Sequence, residues 1–82
     1  MKVVSWNVNG IRAVLKKNFI EILAGFDADV VCLQETKIQE HQLPDELLSI
    51  PGYRAYWSFA EKAGYSGVAI LAREEPDEVA DS

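Results

Sequence analysis

Two polar residues stand where apolar, strand-like runs give out. Asn7 lies near the end of "KVVSWNV", and Glu35 follows "VVCLQ" with no turn residue between. Adjacent strands lie about 4.8 Å apart, so an amide and a carboxylate at neighbouring strand ends can share one small ligand if they face the same way. A hard cation suits that pair. Mg²⁺ takes oxygen ligands at about 2.0–2.1 Å, keeps several waters, and commonly uses one or two protein carboxylates plus a substrate phosphate. Glu35 would bind it directly, while Asn7 would supply its carbonyl oxygen or orient a water. The plainer alternative is a Glu and an Asn solvated at strand ends. Other chemistries find no support. The sequence has no Gly-rich loop ending in Lys and Ser/Thr, no His pair on a helix face and no Cys pair. His41, the sole histidine, falls in the polar stretch "QEHQ" and reads as an exposed spectator; Ser5 and Ser66 have no evident base.

The elements that must position Asn7 and Glu35 follow from periodicity. Residues 2–8 read as a strand with Val, Trp and Val dense enough for burial on both faces. Asn9 and Gly10 break it. From Ile11 to about Ala24 the residues Ile11, Val14, Leu15, Phe19, Ile22 and Leu23 recur at three and four, a helical stripe with Gly25 as its cap. Residues 29–35 give a second strand, and the helix is long enough to cross between parallel neighbours, making a βαβ unit. Parallel strands joined this way end at one edge of the sheet, where open α/β architectures bind ligands. "QLPDELLSIPG" predicts a short helix opened by Pro44, Asp45 and Glu46 and ended by Pro51 and Gly52. "YRAYWSF" and "YSGVAILAR" read as a hairpin around "AEKAG".

With 82 residues the chain is at most one small domain, burying about 60–65% of its unfolded surface. Apolar residues at 49% and charged residues at 26% demand a packed core. The net charge of −5 seems to argue against a nucleic-acid partner, yet Glu74, Glu75, Asp77, Glu78 and Asp81 carry all of the excess. The body is neutral, and the acidity belongs to a tail. This divides the chain into a domain over residues 1–75 and an acidic loop or frayed end over 76–82. Cys32 reads as a small core residue in a buried strand. Ser5, Asn7 and Asn9 interrupt the start where a signal peptide needs an apolar run, and no segment approaches a membrane span, so a cytoplasmic chain is expected.

Three stretches, "SWNVNGIRA" at 5–13, "ADVVCLQETK" at 28–37 and "GYSGVAIL" at 64–71, occur in order and resemble the N-terminal part of the exonuclease III family of apurinic/apyrimidinic (AP) DNA endonucleases. The resemblance runs from Val3 to about Pro76 and covers roughly the first third of a usual family member. It implies a Mg²⁺-dependent phosphodiesterase, with Mn²⁺ as a substitute, that cuts duplex DNA 5′ to abasic sites and often removes nucleotides from 3′ ends. The implied fold is a four-layer α/β sandwich, of which this chain supplies an incomplete N-terminal part. Glu35 matches the metal-binding glutamate of "LQET", and Asn7 the asparagine that lies beside the metal and helps hold the catalytic groups. Asn9 matches a position that is Asp or Asn among relatives; a helix N-cap is the other reading. Arg12, Lys17, Gly64 and Tyr65 match positions that touch the DNA backbone, where charge-assisted bonds position a duplex without reading sequence. Taken alone, Lys16 and Lys17 read as a wet helix face and Tyr65 as a cross-strand contact. Lys37 belongs either beside the cation or on the surface.

Family members place further essentials downstream: a tyrosine near the phosphate, an Asp-x-Asn pair that orients water, and an Asp-His pair that stabilises charge. None occurs in the 82 residues. The resemblance therefore implies a piece of a DNA-repair nuclease that is inactive alone, with a sheet face left uncovered. Its remaining partner would be the C-terminal part of the same enzyme. A different superfamily phosphodiesterase or phosphatase, or a noncatalytic interaction remnant, is the rival expectation.

Overall fold

The computed structural model describes residues 1–60 and 66–73. The expected acidic tail, with Gly64 and Tyr65, lies outside the described residues. Four strands form one sheet: β1 (Val3–Asn7), β2 (Val30–Gln34), β3 (Tyr53–Ser58) and β4 (Val68–Arg73), in the order β1-β2-β4-β3. β1 and β2 are parallel, with Asn7 opposite Gln34; β4 runs antiparallel to both β2 and β3. The βαβ unit and the hairpin are thus both present, and the hairpin inserts its second strand beside β2.

Between β1 and β2 the expected single helix is two: α1 (Ile11–Leu15) and α2 (Phe19–Phe26). Asn18 interrupts them in the left-handed region at φ 68°, a conformation Asn tolerates better than most side chains. The Lys17 amide closes α1 on the Val14 carbonyl. The break rotates the second helix, so Ile20 rather than Ile22 packs against the core and Ile22 is exposed. Gly25 is not the cap: α2 continues through it to Phe26 and ends on Asp27, also left-handed. The chain then reaches α3 (Asp45–Leu48) through a 3-10 turn at Glu40–Gln42. His41 is exposed on that turn.

Alternation along each strand sends one set of side chains under the helices. Val31 and Leu33 of β2 and Ala69 and Leu71 of β4 are fully covered there, with Ile11, Phe19, Leu23 and Leu47 from the helices. Trp6 of β1 stacks on Phe19 at 5.5 Å between ring centroids and meets Phe26 edge-on at 5.4 Å, a preferred aromatic geometry. The opposite face is open. Val3, Tyr56, Val68 and Ile70 are exposed upon it. Burial of β1 on both faces is therefore not realised: only Val4 and Trp6 are half-covered. Cys32 also points to the open face and is half-buried rather than a core residue.

The sheet end remote from Asn7 is tied by polar contacts. The Tyr53 hydroxyl donates to the buried Ala28 carbonyl at 2.6 Å, Arg73 pairs with Asp27 at 2.8 Å, and the Lys2 amide donates to Asp29 at 2.7 Å. That amide, above all, holds the Asp29 carboxyl below its ordinary pKa, with Arg73 acting in the same direction. A carboxyl depressed by folding adds stability above its unfolded pKa of about 3.9, which is lost as pH falls through the lower folded value. Asp29→Asn is thus expected to melt earlier than the parent at neutral pH, with the gap closing in acid; thermal melts across that range check it. Phe19→Ala, which removes a fully buried ring, is expected to cost about 3–5 kcal/mol, and urea titration followed by far-UV circular dichroism measures it.

Candidate functional site

The site is built where the parallel pair ends. Asn7 is the last residue of β1, its partner Gln34 is the last of β2, and Glu35 is one step further on. The chain from Glu35 to Ile38 then runs between two loops, and backbone bonds hold it from both. On one side the Gly10 amide donates to the Glu35 carbonyl at 2.8 Å and the Ile11 amide to the Thr36 carbonyl at 2.9 Å. On the other, Thr36 and Lys37 donate to the carbonyls of Gly67 and Ser66 at 3.0 and 2.7 Å, and the Ala60 amide donates to the Ile38 carbonyl at 3.0 Å. Glu35 and Lys37 adopt left-handed backbone at φ 53° and 55°, which costs a non-glycine residue about 1–2 kcal/mol each. The bonds from both loops offset that strain and fix the direction of the Glu35 side chain.

Four side chains close a polar ring at this edge. Asn7 Nδ2 donates to Glu35 Oε2 at 2.5 Å, and Asn7 Oδ1 accepts from the Asn9 amide at 2.9 Å. The orientation of the Asn7 amide follows from chemistry, since a backbone N–H can only donate and a carboxylate can only accept. Lys37 Nζ donates to Asn9 Oδ1 at 2.6 Å and stands 3.9 Å from Glu35 Oε1. Asn9 is not the helix N-cap: Gly10 holds that position with no side-chain cap, and the Asn9 side chain instead serves Lys37. Lys37 is thus beside the acid and not a detached surface charge.

The arrangement leaves Glu35 Oε1 as the carboxylate oxygen with no direct hydrogen bond in the ring, at a side chain that is 46% exposed. A divalent cation would find there one carboxylate oxygen, with Lys37 Nζ 3.9 Å from it, while the amide oxygens of Asn7 and Asn9 are engaged by the Asn9 amide and by Lys37. Among the described residues no three His, Cys, Asp or Glu side chains gather into a larger cluster. This donor set fits Mg²⁺, which is content with one or two protein carboxylates, and does not suit an ion that demands a full protein cage.

Arg12 lies on α1 directly after the residues that bond to Glu35 and Thr36, and is exposed. With Lys16, Leu15, Pro44 and Glu46 it lines a shallow groove of about 540 Å³. Lys17 is exposed in the turn between α1 and α2. The flanks of residues 61–65, Ala60 and Ser66, are both bonded to the Glu35 segment. Sequence reasoning missed Thr36 and Gly67. Neither carried a local signal: Thr36 lies within the polar stretch Gln34–Lys37, and the partner of Gly67 is revealed only by the fold.

A mixed sheet whose parallel strands deliver an amide and a carboxylate to one edge, with Arg12 on the adjoining helix, defines an α/β architecture with a polar site at the strand ends. The sequence matches the endonuclease/exonuclease/phosphatase family over residues 4–82, and the chain belongs to that family. It is 50% identical over 80 residues to an exodeoxyribonuclease of Bacillus subtilis, covering 96% of this chain and 31% of that protein. Among solved structures, the catalytic domain of Xenopus laevis APE2 superimposes with a TM-score of 0.75 at 49% identity, over 89% of this chain and 23% of the other. The 3′ phosphatase NExo from Neisseria, bound to a product DNA hairpin, gives a TM-score of 0.73 at 35% identity, over 95% of this chain and 29% of the other. The chain therefore spans about a third or less of these relatives, all from AP endonuclease or exonuclease III-like nucleases.

The Asn7–Glu35 bond is open to direct measurement. A double-mutant cycle of Asn7→Ala and Glu35→Ala is expected to yield a coupling of about 0.5–1 kcal/mol in urea denaturation, below the usual range for a bond to a charged group because the pair is solvent-exposed.

Proposed function

We propose that this chain is the N-terminal part of a DNA-repair phosphodiesterase of the exodeoxyribonuclease III and AP endonuclease type, acting on duplex DNA at abasic sites or 3′ ends. The observation that carries the reading is the contact between Asn7 and Glu35 at the edge shared by two parallel strands, in a chain that belongs to a nuclease family. In it Glu35 would hold Mg²⁺, or Mn²⁺ in its place. Asn7 is the group that keeps the carboxylate aimed, and its own oxygen stays turned toward Asn9. A bound divalent ion supplies Lewis-acid charge at a phosphate oxygen. Lys37, beside Glu35 and Asn9, adds positive charge for an approaching phosphodiester.

Arg12 and Lys17 serve as phosphate contacts that seat the duplex, and Gly64 and Tyr65 complete that surface. Such contacts bind backbone without sequence preference, and their affinity falls with salt. Relatives' names support DNA as the partner: an exodeoxyribonuclease, and a phosphatase bound to a DNA hairpin. In this reading the chain contributes a cation ligand, while the Asp-x-Asn and Asp-His pairs that the family resemblance assigns to orienting water and stabilising charge do not occur in its sequence. Phosphodiester hydrolysis needs all of these in one geometry. The chain alone is accordingly inactive, and its natural partner is the rest of the same enzyme. A second reading, a noncatalytic interaction remnant, draws on the open sheet face of Val3, Tyr56, Val68 and Ile70.

Incubated with an abasic-site duplex and Mg²⁺, the chain is expected to leave the DNA uncut; efficient incision that disappears in Glu35→Ala would overturn the inactivity. In competition binding, abasic duplex is expected to prevail over phosphoinositide and polyadenylate, and a preference for either of those would defeat the repair reading. Arg12→Ala and Lys17→Ala should each weaken duplex binding and lower the salt slope by about 1.

A further inference from the structure

Thr36 sits between the two left-handed residues Glu35 and Lys37, is 1% exposed, and is the one buried polar residue among those described. Its hydroxyl has no hydrogen-bond partner among the described residues. An unpartnered buried hydroxyl weakens a fold, so what this position contributes must come from its shape. That shape meets Gly67. A Cβ built on Gly67 would lie 2.6 Å from Thr36 Oγ1, 3.3 Å from the Ala60 nitrogen and 3.6 Å from the Ala60 Cβ, and Gly67 itself has φ 92°. No other residue type fits there without displacing Thr36, both for space and for backbone conformation.

We propose that Thr36, seated against Gly67, is a positioning residue for Glu35. It is a branched strut that fills the space between the Glu35–Ile38 segment and the start of β4, and so sets the two left-handed turns that aim the carboxylate at Asn7. The backbone bonds from Thr36 and Lys37 to Gly67 and Ser66 supply the tie, and the side chain supplies the spacing. The hairpin is thereby coupled to the acid through backbone, with no side-chain hydrogen bond to Glu35 from the described residues of β3 and β4. The inference rests on the proposed cation role of Glu35 for its functional meaning, but the geometry it asserts is independent of any ion.

The test compares the parent chain with Thr36→Val, Thr36→Ala and Gly67→Ala, at a temperature where far-UV circular dichroism shows all of them folded. Two quantities are read: affinity for Mn²⁺ alone, by electron paramagnetic resonance, and the position of the Asn7 side-chain amide signal in proton–nitrogen NMR spectra. Thr36→Val keeps the shape and should match the parent in both, melting at the same or a higher temperature. Thr36→Ala and Gly67→Ala should weaken Mn²⁺ binding about 10- to 100-fold, as loss of outer supporting groups does, and move the Asn7 signal toward that of a solvent-exposed amide. A merely structural residue would lower the melting temperature and leave the Asn7 signal where it was. That result, or Thr36→Val failing as badly as Thr36→Ala, would overturn the proposal. If Thr36→Ala does not fold, Gly67→Ala gives the decision from the other side of the contact. Should the parent chain bind no Mn²⁺, the cation reading falls while the Asn7 signal still decides the strut.

Discussion

Everything at the polar edge depends on four residues, Glu35 to Ile38, leaving the sheet without a conventional turn. Two of them take backbone conformations that side chains disfavour, and five hydrogen bonds from three separate segments keep them there. Strain that is over-determined by its surroundings persists where a free loop would relax it. The outcome is a fixed origin for the Glu35 side chain, whose carboxylate is held by the bond from Asn7. Asn7 then needs only to meet it, and the parallel register of β1 and β2 brings it there.

The polar ring shows how a solvent-exposed group can still be ordered. Each member is bonded to the next: Glu35 to Asn7, Asn7 to the Asn9 backbone, and Asn9 to Lys37, which stands back near Glu35. None of these contacts is strong in water when taken singly. Closed on itself, the ring makes displacement of one side chain disturb its neighbours. An acid so placed has one oxygen bonded to Asn7 and the other facing the ammonium of Lys37 at 3.9 Å.

Much of this was legible in the residues. Strand ends at Asn7 and Glu35 could be read because apolar runs stop abruptly there, and the hairpin because two β-rich runs flank a Gly-containing segment. The splitting of the first helix at Asn18 was not, since the apolar residues keep a helical spacing on either side of it; only the left-handed tolerance of Asn hints at a break. Cys32 and Val3 read as core because strand composition cannot say which face of a sheet receives a cover. The ring was hidden for a further reason. Lys37 reaches Asn9 across 28 positions of sequence, and no local pattern encodes that pairing.

The strand order carries a consequence for how the chain acquires its shape. β4, the last of the four described strands in sequence, lies between β2 and β3, so the third strand has no seat in the sheet until residues 68–73 are available. The parallel pair keeps an open edge along β2 until that same strand closes it. Pairings this distant make for slow assembly and leave strand edges open to the wrong neighbours meanwhile. A nascent chain halted just short of Ser66 would hold the acid and the amide, yet lack the Ser66 and Gly67 carbonyls that clasp the Glu35–Ile38 segment.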